Sequence, residues 1–302
     1  FCVLLLTAST CDNTNPIIAS TSIPSSTPPS LLLLTPAPPF DATNIISTPN
    51  PIPKGLPNGP TVKYGSEDKS IVSISDNGGQ AGLFIKNENL FGIYANNSAY
   101  NTINLNPTSS SFTFNTLYAP TTKLGGGCLE LSMDYWIYGN GPESSALRLY
   151  DFCGPGWNTG INISINSTFT LNYLRNFGYG NQYTMEIFGM PGTSWRVFLY
   201  NYNLYKWDLL YTSQPGSNTY NGSESWSMFE THYLVGNCSV TPPIASTNVQ
   251  VFDGTGWYNV GSNDIVGSLA PWGQCFTGNN PTNNLNFTNG YSSWMVTSSA
   301  GQ

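Results

Sequence analysis

The chain is short of charge. Of its 302 residues only 8% are Asp, Glu, Lys or Arg, against roughly 25% in an average soluble domain. Its nine basic residues, six lysines with Arg148, Arg175 and Arg196, are scattered and outnumbered by sixteen acids. That disfavours nucleic acid as a partner, because such binding needs a clustered positive footprint. Histidine is nearly missing: His232 stands alone between Thr231 and Tyr233, so Ser/His/Asp catalysis would depend on one residue inside a strand-like run. The cysteines contain no CxxC spacing, which speaks against zinc. No stretch reaches the ~20 apolar residues of a membrane helix, and no membrane span is expected. The GGG at 125–127 precedes a strand and not a helix, unlike a phosphate loop. DNGG at 76–79 and DGTG at 253–256 are calcium-like in composition but read better as turns. No metal or cofactor is expected.

What is present is neutral. Hydrophobic residues make up 39% of the chain, enough for a real core, and Asn, Ser, Thr, Gly and Tyr fill the surface role. Low charge also suits an acidic habitat, where carboxylates protonate and ion pairs lose value. Six widely spaced cysteines fit disulfides in an oxidising compartment. Sequential pairing is expected: Cys2 with Cys11, Cys128 with Cys153, Cys238 with Cys275. Six sequons, at Asn96, Asn162, Asn166, Asn221, Asn237 and Asn286, agree with export and with glycosylation of at least half of them. The opening FCVLLL reads as the remnant of a signal peptide's apolar region. A secreted, cell-surface protein is expected.

Residues 1–60 read as an extended tail. Residues 12–60 hold most of the prolines, few aromatics and no helical period. Within SIPSSTPPSLLLLTPAPPF (22–40), Leu31, Leu32, Leu33 and Leu34 form an apolar block between prolines. A stalk facing water gains nothing from that block, so the tail needs a partner. From residue 61 onward the pattern predicts an all-β, antiparallel, jelly-roll-like sandwich. CLELSMDYWIY (128–138) alternates: Leu129, Leu131, Met133, Tyr135 and Ile137 on one face, Glu130, Ser132, Asp134 and Trp136 on the other. Further strands are expected in AGLFIK, LFGIYA, NTINL, SFTFNTLY, SALRLYDF, INISIN, TFTLNYL, QYTMEIF, SWRVFLYNY, KWDLLYT and WSMFETHYL, separated by Gly/Pro/Asn-rich turns. No helix is expected. VTPPIAS (240–246) resembles a hinge, so 61–240 forms the main sandwich and 241–302 either a smaller β unit or strands that complete it.

Paired carboxylates raise glycoside hydrolysis. Glu130 and Asp134 share a face but lie ~13 Å apart along the strand, too far for a retaining or inverting pair. Each needs a cross-strand partner, and Glu186 or Glu230 are the candidates. Over 128–234 the alternation and YTMEIF resemble concanavalin-like jelly rolls, which include glycosidases and lectins, although the E-x-D-x-E strand of one laminarinase-like family is replaced by E-x-x-x-D. A glutamic peptidase also suits a histidine-poor sandwich, without a motif to select its glutamates. Aromatics offer a lectin alternative: Trp157, Trp195, Trp226 and Trp257 lie beside turns, where they could stack on carbohydrate, although strand aromatics chiefly fill cores.

The tail favours assembly. Phe1, Val3 and Leu5 would form one face of a strand donated to a neighbouring copy, with Leu31 to Leu34 as a second docking point. Head-to-tail contacts of this kind do not close, so they build filaments. In plan and composition, namely the tail at 1–60, the sequons and a low-charge β body, the chain resembles the archaeal surface thread proteins. That resemblance implies a non-enzymatic, extracellular filament subunit used in adhesion, a homo-oligomer of identical copies.

Overall fold

A computed structural model describes residues 79–86, 90–105, 116–125, 129–137, 141–152, 161–189, 194–213, 224–233, 242–270 and 283–298. The tail segments, including Phe1, Val3, Leu5 and Leu31 to Leu34, lie outside them, as do all six cysteines.

The described chain is nearly all β, in two antiparallel sheets. Strands β1 (Gly79–Lys86), β3 (Thr116–Lys123), β4 (Leu129–Ile137), β5 (Glu143–Asp151), β6 (Asn162–Ser164), β11 (Glu224–Tyr233) and β14 (Ile265–Ala270) form a seven-stranded sheet. Its order is β14-β1-β11-β3-β4-β5-β6. The second sheet holds β2 (Gly92–Ser98), β8 (Asn181–Phe188), β9 (Arg196–Asn201), β10 (Lys206–Thr212), β12 (Ile244–Phe252), β15 (Asn283–Thr288) and β16 (Ser293–Ser298) in the order β10-β9-β8-β2-β12-β16-β15. β7 (Leu174–Asn176) joins β8, and β13 (Trp257–Asn259) joins β12. The strands after residue 240 therefore enter the same two sheets: β12 pairs with β2, and β14 with β1.

Alternation places the core. Leu129, Leu131, Met133, Tyr135 and Ile137 of β4 meet Ile93 and Ala95 of β2 and Tyr183, Met185 and Ile187 of β8, all essentially inaccessible. Burying each large aliphatic side chain stabilises by about 1.5–3 kcal/mol. Polar groups bridge the layers as well. Asn97 Nδ2 donates to Thr122 Oγ1 of the facing sheet at 3.0 Å, Ser227 Oγ to Ser246 Oγ at 2.9 Å, and Trp294 Nε1 to Ser227 Oγ at 3.0 Å.

Two strand expectations fail locally. TFTLNYL forms α1 (Ser167–Tyr173) and then β7. Asn166 caps the helix, its Oδ1 accepting from Phe169 N at 2.9 Å. Phe169 and Tyr173, four residues apart, share the buried face, while Leu171 is 60% exposed. Burial on a helical period has overridden an equally good alternation. NTINL (101–105) is not a strand, because Asn104 turns left-handed at φ 56°. The Glu143 carboxylate replaces a strand partner there, accepting from Ile103 N at 2.6 Å and from Leu105 N at 2.8 Å.

Candidate functional site

Because the leucines of β4 turn inward, its polar residues turn onto the opposite face of the seven-stranded sheet, where they are nonetheless buried. Register then brings other strands to them. Glu130 lies opposite Lys123 on β3 and Tyr150 on β5, and Lys123 lies opposite Trp226 on β11. Ser132 lies between Thr121 and Arg148. Glu230 of β11 lies between Gln80 of β1 and Ala119 of β3. A chain with so few ionisable residues thus gathers Lys123, Glu130, Asp134, Arg148 and Glu230 on one face.

The three carboxylates have different surroundings. Asp134 meets three donors. Arg148 Nη1 approaches its Oδ2 at 3.1 Å, Tyr150 OH donates to the same oxygen at 2.7 Å, and Ser132 Oγ donates to Oδ1. The Arg148 guanidinium also lies 3.9 Å from the centre of the Trp136 ring. Burial raises the Asp134 pKa, and Arg148, Ser132 and Tyr150 oppose the rise. Glu130 has Lys123 opposite it as its nearby cation. Its Oε1 accepts from Thr121 Oγ1, which draws the side chain diagonally toward Glu230. Burial, and next the charge of Glu230, push its pKa up to about 8. Glu230 is half-buried, and Gln80 Nε2 donates to its Oε1 at 3.1 Å. Lys123 is buried with its ammonium 4.8 Å from the Trp226 ring centre, and burial pushes its pKa down to about 8.

The sequence paired Glu130 with either Glu186 or Glu230, and the structure separates the two. Glu230 shares the face, whereas Glu186 is on the second sheet, opposite Tyr94 and inaccessible. Gln80, Thr121, Lys123, Arg148 and Tyr150 were not singled out as site residues. Arg148 and Tyr150 lie in the expected strand SALRLYDF, whereas Gln80, Thr121 and Lys123 fall outside the expected AGLFIK and SFTFNTLY runs, and only the pairing register places them on the face of Glu130. Among the described residues no cluster of three or more His, Cys, Asp or Glu is placed to hold a metal. The Asp253 carboxylate is taken up by its own turn, Oδ1 accepting from Thr255 N at 2.8 Å, Thr255 Oγ1 at 2.7 Å and Gly256 N at 3.2 Å.

The remaining candidates scatter. Asn166 and Asn286 are exposed and Asn162 is half-buried. Asn96 is fully buried in β2, its Oδ1 accepting from Thr184 Oγ1 at 2.7 Å. A glycan on its covered Nδ2 does not suit this fold. Asn221 and Asn237 lie outside the described residues, as does Trp157. Of the other turn-flanking tryptophans, Trp195 is buried, while Trp226 and Trp257 are half-buried. Among the described residues no helix is long and apolar enough to cross a membrane.

Neither a protein family nor a curated protein matches the sequence. Among solved structures, scytalido-glutamic peptidase bound to a transition-state analogue inhibitor is similar at 14% identity over 74% of this chain and 100% of that one, with a TM-score of 0.41. SCP-B, described as a member of the Eqolisin family of peptidases and bound to the tripeptide Ala-Ile-His, is similar at 12% identity with the same coverage and a TM-score of 0.41. No assignment of residues or activity rests on likeness this distant.

Proposed function

We propose that the outer face of the seven-stranded sheet is an acid–base hydrolytic site, with Glu130 as proton donor and Glu230 as the base that activates water. One observation carries the reading: two glutamates in opposite environments share one sheet face, near enough for the charge of Glu230 to raise the Glu130 pKa. Glu130 is covered and keeps its proton at neutral pH, the condition a general acid needs. Glu230 is the more accessible and is oriented by Gln80. Asp134 is occupied by Arg148 and Tyr150 and supports the site without entering the reaction. In each turnover Glu130 gives its proton to the leaving group while Glu230 takes one from the attacking water. The scissile bond is amide or glycosidic, the two classes this chemistry serves. The test is hydrolysis of labelled casein and of a soluble β-glucan between pH 3 and 8. Turnover of either one, lost by at least a hundredfold in both Glu130→Gln and Glu230→Gln, supports the site. No turnover of either, or turnover unchanged in the variants, overturns it.

A second reading, not exclusive of the first, is the extracellular, disulfide-bonded and glycosylated assembly subunit expected from the tail. It is favoured by β15, the outermost strand of the second sheet. Its sequence NNLNFT contains neither charge nor proline, and its register with β16 is unbroken. Edges are normally blunted by such residues or by bulges, as at β10, which carries Lys206, Asp208 and a register shift after Leu209. An uninterrupted edge suits a strand donated by a second copy. Light scattering behind size-exclusion chromatography tests it: oligomers of the full chain that dissociate when Leu31 to Leu34 are replaced by serine support it. Monomers at high concentration in both proteins overturn it.

A further inference from the structure

One register row that contains Glu130 crosses five strands. Phe84 of β1 lies opposite Trp226 of β11, Trp226 opposite Lys123 of β3, Lys123 opposite Glu130 of β4, and Glu130 opposite Tyr150 of β5. Lys123 stands at its centre and is inaccessible. An ammonium buried this deeply is costly unless other groups replace its water, and here aromatic faces take part of that role. Its Nζ lies 4.8 Å from the centre of the Trp226 ring and 6.0 Å from that of Phe152, and it donates to Leu124 O at 3.4 Å. Phe152 in turn stacks on Tyr150 at 6.3 Å and 21°. The rings beside the ammonium thus reach the strand on the far side of Glu130.

A cation placed here acts unequally on the two states of its neighbour. Protonated Glu130 is neutral and gains little from it, whereas the carboxylate gains Coulombic attraction, strengthened where a covered site lowers the dielectric. The coupling is visible from both sides. Burial disfavours the Lys123 ammonium and the charge of Glu130 favours it, while burial and then Glu230 raise the Glu130 pKa and Lys123 opposes the rise. The other groups about Glu130 are set differently. Glu230 of β11 and Asp134 of its own strand are acids that disfavour a further anion, and Arg148 and Tyr150 of β5 are engaged with Asp134.

We propose, resting on the hydrolytic reading above, that Lys123 is a positioning residue: held beside the Trp226 and Phe152 rings, it stabilises the Glu130 carboxylate formed in turnover and so sets the acid's strength. The step balances. The proton passes from the Glu130 carboxyl to the leaving oxygen or nitrogen as the scissile bond breaks, water oxygen bonds to the electrophilic carbon, and the proton that water loses goes to Glu230. Glu230 then releases a proton to solvent and Glu130 regains one.

Two measurements on the full chain test it. The first needs no turnover: carbon-13 NMR titration of the Glu130 carboxyl in glutamate-labelled protein, assigned with Glu130→Gln. Lys123→Met keeps an alkyl stem against Trp226 and is expected to raise the midpoint by about one pH unit, with Lys123→Arg nearer to wild type. Reciprocally, Glu130→Gln is expected to lower the midpoint of the Lys123 ζ-nitrogen. The second is the pH profile on whichever substrate is turned over. Lys123→Met is expected to lower kcat about three- to tenfold with KM unchanged, and to carry the alkaline limb upward, a shift that mere loss of folded protein does not produce. A Glu130 midpoint unmoved in Lys123→Met, or a Lys123 midpoint unmoved in Glu130→Gln, overturns the proposal, and wild-type turnover then leaves the hydrolytic reading standing. Moved midpoints in a chain that hydrolyses neither substrate overturn that reading, and the catalytic role of Lys123 with it.

Discussion

Lys123 and Glu130 face each other across the β3–β4 register, and burial moves their proton affinities to about 8 from opposite sides. Free glutamate titrates at 4.5, so between pH 4.5 and about 8 the folded state holds a proton that the unfolded state has lost. Stability contributed here is full below 4.5 and falls as pH rises through that window. Lysine runs the other way. Its folded pKa lies below 10.5, so from about 8 to 10.5 the unfolded state binds more protons and stability rises. The pair therefore predicts a stability minimum near pH 8. Urea midpoints measured at pH 4, 8 and 10 check it. Glu130→Gln is expected to flatten the acid limb, whose slope is at most ~1.4 kcal/mol per pH unit.

Asp208 ties α1 to the second sheet. Its Oδ2 accepts from Tyr173 OH at 2.9 Å and from Asn201 Nδ2 at 2.8 Å, both buried. Asp208→Ala leaves two buried donors without that acceptor and is expected to cost about 2–4 kcal/mol. Asp208→Asn, which keeps one acceptor, is expected to cost less. Chemical denaturation of the two variants decides.

At Gly82, φ is +152° and a Cβ would lie 2.5 Å from Met228 Cα and 2.6 Å from Ser227 O. Backbone cannot yield there as a side-chain tip can. Gly82→Ala is expected to lose at least ~3 kcal/mol by parting β1 from β11. Gly178→Ala is the control, because nothing lies within 4 Å of its Cβ position, although its φ of +96° leaves a local strain cost of about 1 kcal/mol.

Glycosylation is expected at Asn166 and Asn286 and not at Asn96. Enzymatic deglycosylation in heavy-oxygen water, followed by peptide mass spectrometry, marks each occupied site. A marked Asn96 in folded, secreted protein would show that β2 forms after modification or is displaced by it.

Register bears on one proposed disulfide as well. Leu129 pairs with Asp151; Leu129 follows the expected partner Cys128 by one position, and Asp151 precedes Cys153 by two. Non-reducing peptide mapping is expected to recover a linked Cys128–Cys153 pair. Recovery of either cysteine linked elsewhere rejects sequential pairing.

Much of the fold was legible because strand alternation is a local signal. Leu129, Leu131 and Met133 announced the core and Glu130 and Asp134 the outer face before any pairing was known. The candidate site was legible only in part. Glu230 and Glu186 look alike in sequence, and which of them shares a sheet face with Glu130 depends on which sheet their strands join, a property of chain topology. Lys123 and Arg148 were hidden for the same reason. The short helix was hidden by degeneracy: Phe169, Leu171 and Tyr173 satisfy a strand period, while Phe169 and Tyr173 alone satisfy a helical one. The Asn166 cap that decides between them is one hydrogen bond.

The polar bridges through the core bear on how the molecule would carry load. Greasy layers slide over one another easily, since a leucine displaced by one step meets another leucine. Asn97 to Thr122, and Trp294 through Ser227 to Ser246, permit no such substitution. They act as dowels between two planks. If copies of this chain are pulled along a thread, the sheets should yield abruptly under shear and not creep, and removing the dowels should lower the rupture force more than it lowers the melting temperature.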